Sequence, residues 1–196
     1  MKKKYIKNVI VFAILICLGL YYFFYISNKM PQKDAIDSSV TNAELSRLLT
    51  LDIDSNYPQS PKEVLKLYLQ YNQEYYKSDV TTEQLEKLAK QVIKLFDPEL
   101  IRKQTDVGYV AAVKEDVESW KKAGRYISDY EIGDNSRVEY KTLYNQEYAI
   151  LPMRFFIRQG SELTYAYHSF RFRKDASGRW KILYWEATKQ VELGRK

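Results

Sequence analysis

The 196 residues include a single cysteine and a single histidine. One cysteine excludes an intrachain disulfide and any thiolate-held zinc or iron–sulfur site. One histidine excludes a multi-histidine metal cluster. The chain also lacks a glycine-rich phosphate loop, a Ser/His/Asp arrangement with a recognisable motif, an internal repeat and any metal-ligand spacing. No catalytic residue, metal or cofactor is therefore assigned. Acid is missing from the first 30 residues, which hold Lys2, Lys3, Lys4, Lys7 and Lys29. The formal net charge is +6, yet the other 166 residues carry 26 basic and 25 acidic groups. The excess charge belongs to the N-terminus, and the rest is close to neutral. That balance argues against a nucleic-acid partner. Aromatic residues, by contrast, are abundant at 15%, with 18 tyrosines among them. Such a chain has ample core material, and its length suits one domain with an appendage.

Val9 to Ile26 is a run of 18 residues without a charge. At about 1.5 Å per residue it makes roughly 27 Å of helix, close to the hydrocarbon thickness of a bilayer. Lysines precede it, and Tyr21, Tyr22, Phe23, Phe24 and Tyr25 crowd its far end like an interfacial belt. The positive-inside rule then puts residues 1–8 in the cytoplasm and the rest outside a bacterial cytoplasmic membrane. A cleaved signal peptide would end at a small-x-small site, which Ser27-Asn28-Lys29-Met30-Pro31 does not supply. Cys17 lies mid-run between Ile16 and Leu18, without the small residue that lipoprotein processing wants before the cysteine. It reads as a small apolar membrane residue.

Residues 27–56 read as a linker, polar at first, with a short helix over 44–51. The folded part is expected over 57–190, with 191–196 as a tail. Ser60-Pro61 with Glu63, and Thr81 with Gln84, are capping boxes opening helices to about Ser78 and Phe96. Asp97-Pro98 stops the second, a short helix follows over 99–104, and another runs over 106–123 until Gly124 ends it.

From Arg125 the apolar period becomes two, predicting strands over 125–132, 137–144, 147–158, 163–174 and 179–188. Two-residue turns at 145–146 and 160–161 and a four-residue turn at 175–178 set an expected register. One row then holds Val138, Met153, His168 and Trp185. The next holds Tyr140, Leu151, Phe170 and Leu183, and a third holds Thr142, Ala149, Phe172 and Lys181, with Phe155 and Ala166 on the same side. This face is almost wholly apolar and should pack on the helices. The opposite face carries Tyr148, Arg154, Phe156, Arg158, Tyr165, Tyr167, Arg171, Arg173, Trp180, Ile182 and Tyr184. The fold class is thus α+β: an N-terminal transmembrane helix, then a helical half on a curved antiparallel sheet.

With helices before a meander and a closing strand Gly178-Arg179-Trp180-Lys181-Ile182-Leu183, residues 58–190 resemble the nuclear-transport-factor-2-like (SnoaL-like, cystatin-like) superfamily. Asn56-Tyr57-Pro58-Gln59-Ser60-Pro61-Lys62-Glu63-Val64 and Leu95-Phe96-Asp97-Pro98-Glu99-Leu100, behind a basic N-terminal span, resemble an uncharacterised bacterial family of single-pass membrane proteins. The resemblance implies a cone with a pocket between sheet and helices and supplies no catalytic residues.

Two sites follow as candidates. The first is a pocket lined by His168, Tyr140, Met153, Phe155, Phe170 and Trp185, in which a neutral imidazole could orient a small ligand. No acid falls on the inner face of the last four strands, which disfavours catalysis, although an acid borne by a helix could reach in. The second is the outer face, where Arg154, Arg158, Arg171 and Arg173 alternate with Tyr165 and Tyr167. Those residue types are enriched at interfaces, and a homodimer or another protein is the expected occupant. The expected function is a membrane-anchored, extracytoplasmic binding or assembly module for a protein partner or a small ligand. Two alternatives stand beside it: a small-molecule enzyme or carrier using His168 and Tyr140, and a subunit of a secretion or conjugation channel.

Overall fold

The computed structural model describes residues 43–190 and Leu193. The expected span over 9–26 lies outside the described residues. Among the described residues no helix is long and apolar enough to cross a membrane.

Helix starts are fixed locally. In α2 (Pro61–Tyr75) the Ser60 hydroxyl accepts from the Glu63 amide at 3.2 Å, and the Glu63 carboxylate accepts from the Ser60 amide at 3.2 Å. In α3 (Thr82–Ile93), Thr81 and Gln84 repeat this exchange. Asp97 caps α4 (Pro98–Gln104) by accepting the Glu99 amide at 2.8 Å. Thr105 caps α5 (Asp106–Lys122) through the Gly108 amide. Each cap satisfies an amide left without a partner in the first turn.

A helix over 43–50, α1, precedes these. The compact unit begins at Leu45, earlier than the expected boundary at residue 57. Leu48 and Ile53 are fully buried, and the Tyr71 hydroxyl donates to the Leu48 carbonyl at 2.9 Å. Leucines at 45 and 48 need cover, and α2 supplies it.

The sheet comprises β1 (Arg125–Ile132), β2 (Glu139–Leu143), β3 (Gln146–Gln159), β4 (Glu162–Lys174) and β5 (Trp180–Ala187), in the order β1-β3-β4-β5. β2 lies beside the first half of β3 and β1 beside its second half, all antiparallel. A single 3₁₀ turn over Asn135–Arg137 separates them and takes up the start of the expected second strand.

The β3–β4 register is the expected one, with Met153 opposite His168, Leu151 opposite Phe170 and Ala149 opposite Phe172. Two other registers differ. The β2–β3 turn falls on Tyr144-Asn145, both at positive φ, rather than on Asn145-Gln146. Left-handed geometry at both central residues matches the right-handed strand twist, and Asn tolerates it well. Tyr140 therefore faces Ala149 instead of Leu151. A slip of two residues leaves the faces unchanged.

The β4–β5 connection is one residue longer than expected and pairs Lys174 with Trp180. The Asp175 carboxylate organises it, accepting the Ser177 and Arg179 amides at 2.9 Å each. An odd shift exchanges faces. Trp180 and Ile182 consequently enter the core instead of the outer face, while Lys181 turns away and reaches the Lys94 carbonyl at 2.7 Å. An irregularity between Arg171 and Phe172 absorbs Leu183, takes it out of the expected row and restores the parity. Trp185 then stays inside and Tyr184 outside.

α2 lies over the inner face, with the Tyr68 ring 5.3 Å from Phe170 and 5.7 Å from Trp185. The edge of β5 is closed by Leu95–Asp97. The Ile182 amide donates to the Leu95 carbonyl and the Asp97 amide to the Ile182 carbonyl, both at 2.8 Å. This covers the strand edge around Ile182.

Candidate functional site

Beyond Met153 and Phe170 the inner face of the sheet loses its cover. Phe155, Ile157, Ala166 and His168 are half-buried, whereas Leu151, Met153 and Phe170 are closed off. A cavity of about 360 Å³ occupies this end, open to solvent and walled by α2, α5 and the sheet. Its size falls at the lower end of the roughly 300–1,000 Å³ typical of small-molecule pockets.

The sheet contributes Ile127, Phe155, Ile157, Ala166, His168, Phe170 and Trp185. From α2 and its C-cap come Tyr68, Asn72, Tyr75 and Tyr76, one helical stripe that turns toward the sheet. α5 adds Tyr109, Val113, Asp116 and Trp120 from its own stripe. Aromatic rings dominate, and they brace one another. Trp185 stacks on Phe170 at 5.6 Å, Phe155 meets the His168 ring edge-on at 5.7 Å, and Tyr76 lies 4.4 Å from Trp120.

Two buried polar atoms in this wall are poorly satisfied: the Tyr75 hydroxyl, beside the Tyr109 phenol but without a well-aligned hydrogen bond, and His168 Nδ1, on a ring held only by the Ala166 backbone. Tyr75 is only 1% exposed. Buried polar atoms are ordinarily paired, because leaving one unpaired costs about 1–3 kcal/mol. Two such atoms around one cavity are what a site with polar needs of its own ligand would show.

Burial holds the His168 pKa below the ordinary histidine value, and the Ala166 carbonyl offsets this only in part. At neutral pH the ring is uncharged. Burial also pushes the Tyr75 phenol well above its usual value, with the neighbouring Tyr109 phenol adding to the effect. Tyr109 is raised by burial, and Tyr76 by burial and by its contact with Asp116. All three phenols therefore stay protonated and can donate. The Tyr76 hydroxyl does so to the Asp116 carboxylate.

Of the six residues expected here, His168, Phe155, Phe170 and Trp185 line the cavity. Met153 does not; it is fully buried beneath the floor. Tyr140 does not either. Its strand is only five residues long and lies at the far end of β3, where Tyr140 is 61% exposed and packs on Trp180 at 5.8 Å. The polar helix-borne residues Tyr75, Tyr109 and Asp116 were not expected. One signal for them lies in the sequence: Tyr109, Val113, Asp116 and Trp120 share a helical stripe, and an acid on an apolar stripe is out of pattern.

The outer-face residues are also where the register put them, and most of the arginines are already engaged. Arg154 pairs with Glu131 and lies over the Phe156 and Tyr165 rings at 5.0 and 5.5 Å. Tyr167 hydrogen-bonds to it as well. Arg171 pairs with Glu186 and sits over Tyr184. Arg173 is taken up by Asp97 and Glu99 at the start of α4. Arg158 is half-buried beside the exposed Leu163 and Tyr165. The charge on this face is largely balanced from within, and the exposed Tyr126, Leu163 and Tyr165 gather around Arg158.

The fold and cavity define an α+β protein with an open, aromatic-lined pocket. Its sequence matches a family model described as a domain of unknown function (DUF6715) over residues 1–185, and the chain belongs to that family. No curated protein matches the chain. Among the described residues, no group of three or more His, Cys, Asp or Glu side chains could hold a metal ion.

Proposed function

We propose that this protein is a ligand-binding module, tethered to the membrane by residues 9–26, whose cavity takes one small, mostly apolar molecule. The observation that carries the reading is the open, aromatic-lined cavity with two poorly satisfied buried atoms in its wall, Tyr75 Oη and His168 Nδ1. Helices followed by a long antiparallel meander, with the pocket between them, support a nuclear-transport-factor-2-like ectodomain. The pocket favours a small ligand over the assembly version of this reading, since three of the four outer-face arginines, Arg154, Arg171 and Arg173, already have acidic partners. Binding is favoured over catalysis because Asp116, the one acid among the described residues of the cavity wall, is a hydrogen-bond acceptor of Tyr76.

A trade between stability and binding tests the pocket. Tyr75→Phe removes a buried hydroxyl that has only the Tyr109 phenol beside it and should raise the stability of the full chain by up to about 1 kcal/mol in urea titration. The same change should weaken any ligand that uses the hydroxyl. A drop in stability would mean that the hydroxyl is satisfied in the folded protein, and the pocket reading would lose its support. The tether is tested separately by topology. A periplasm-dependent reporter fused after Lys196 should be active, and activity of a cytoplasm-dependent one in the same position would refute it.

A further inference from the structure

Every strong acid–base pair on the helices involves a base one turn away or on a neighbouring element. Glu83 pairs with Lys87, Glu86 with Lys90 and Lys114, Glu99 with Lys103, and Glu118 with Lys122. Asp116, like Asp106 and Glu115 on the same helix, has no basic partner among the described residues, and of these three only Asp116 lines the cavity. Four residues away on either side stand Ala112 and Trp120, and the carboxylate makes no ion pair. Its one partner among the described residues is the neutral Tyr76 hydroxyl. The carboxylate sits on the exposed rim of the cavity, where α5 meets solvent.

The rest of the wall sharpens the asymmetry. None of the lining residues is lysine or arginine, and His168 is uncharged. Arg125 lies over the Trp120 ring at 5.0 Å without pairing with Asp116. The cavity thus offers one negative charge, a set of aromatic faces and neutral hydrogen-bonding groups. No lysine or arginine lines it, although Arg125 over Trp120 stands close enough to act on the Tyr76 phenol. Aromatic faces attract organic cations through their quadrupoles, and a carboxylate at the rim adds a charge-assisted hydrogen bond for an ammonium.

We propose that the cavity selects an organic amine, with its ammonium held at Asp116 and its apolar body lying between Trp185, Phe170 and Tyr109. This rests on the ligand-binding reading above. Tyr75 and His168 then meet a hydroxyl, ether or carbonyl at the buried end of the ligand.

The experiment compares three probe sets on the full chain at neutral pH: benzyl, phenylethyl and naphthylmethyl amines, the matching alcohols, and the matching carboxylates. Intrinsic fluorescence of Trp120 and Trp185, both at the cavity, and calorimetry report binding. Amines should bind at least about tenfold more tightly than the alcohols, and the carboxylates most weakly. Asp116→Asn, which keeps the Tyr76 hydrogen bond, should erase the preference for amines and leave the alcohols unaffected. If alcohols bind as well as amines, or Asp116→Asn leaves the amines unaltered, the cation inference falls and the pocket stands. If none of the probes binds and Tyr75→Phe is also neutral or destabilising, both readings fall.

Discussion

Arg173→Ala is expected to cost the fold about 3–5 kcal/mol, the largest effect of any single surface-facing residue. Asp97 is 2% exposed, and both its oxygens accept from the Arg173 guanidinium, one from Nε at 2.9 Å. Its Oδ1 also caps α4 through the Glu99 amide. Removing the arginine leaves a buried carboxylate without its cation, and the loss then exceeds what the pair itself contributes. Urea titration of the full chain measures the change. The double variant Asp97→Asn with Arg173→Ala should recover part of the loss, since an amide needs no counter-charge. A loss below about 1 kcal/mol for Arg173→Ala would show that solvent, rather than the guanidinium, satisfies Asp97. It would also free Arg173 for the interface role that its place on the outer face suggests.

The second large effect concerns the closing strand. Ile182 is fully buried and joins β5 to Leu95–Asp97, so Ile182→Ala should cost about 2–5 kcal/mol. Leu183 is half-buried at the irregularity, and Leu183→Ala should cost clearly less than Ile182→Ala. Thermal or urea unfolding of the two variants distinguishes the registers. The reverse order, with Leu183 the costlier, would restore the simple register in which Leu183 stands beside Phe170 and Ile182 faces outward.

That strand shows where reading from sequence ran out. Capping boxes at Ser60 and Thr81, the Asp97-Pro98 stop and the period-two pattern after Arg125 are local signals, and the elements formed where those signals placed them. The β3–β4 register was legible too, because Gly160-Ser161 permits a tight turn and both strands alternate cleanly. β5 carries apolar residues at 180, 182, 183, 184 and 185, so alternation is broken and either face fits the pattern. The choice fell to the Asp175 hydrogen bonds, which lengthen the loop, and to the Leu95–Asp97 segment, which needs Ile182 beside it.

The candidate site divides in the same way. His168, Phe155, Phe170 and Trp185 were reachable from strand parity. Tyr75, Tyr109 and Asp116 were not, because strand parity says nothing about which helix lies opposite. Tyr140 failed for a related reason: parity puts it on the right face, but β2 lies at the wrong end of β3 to reach the cavity.

By itself the sequence determined the α+β class, the helix starts, most strand boundaries and the charge asymmetry between the first 30 residues and the rest. Those properties depend on neighbours within a few positions along the chain. Only the tertiary structure decided that the sheet is left uncovered at one end, that two helices bring phenols and a lone carboxylate to that opening, and that Asp97 is buried against Arg173. Each of these joins residues far apart in the chain, 76 positions apart for Asp97 and Arg173. Long-range packing, which no local pattern encodes, selects such partners.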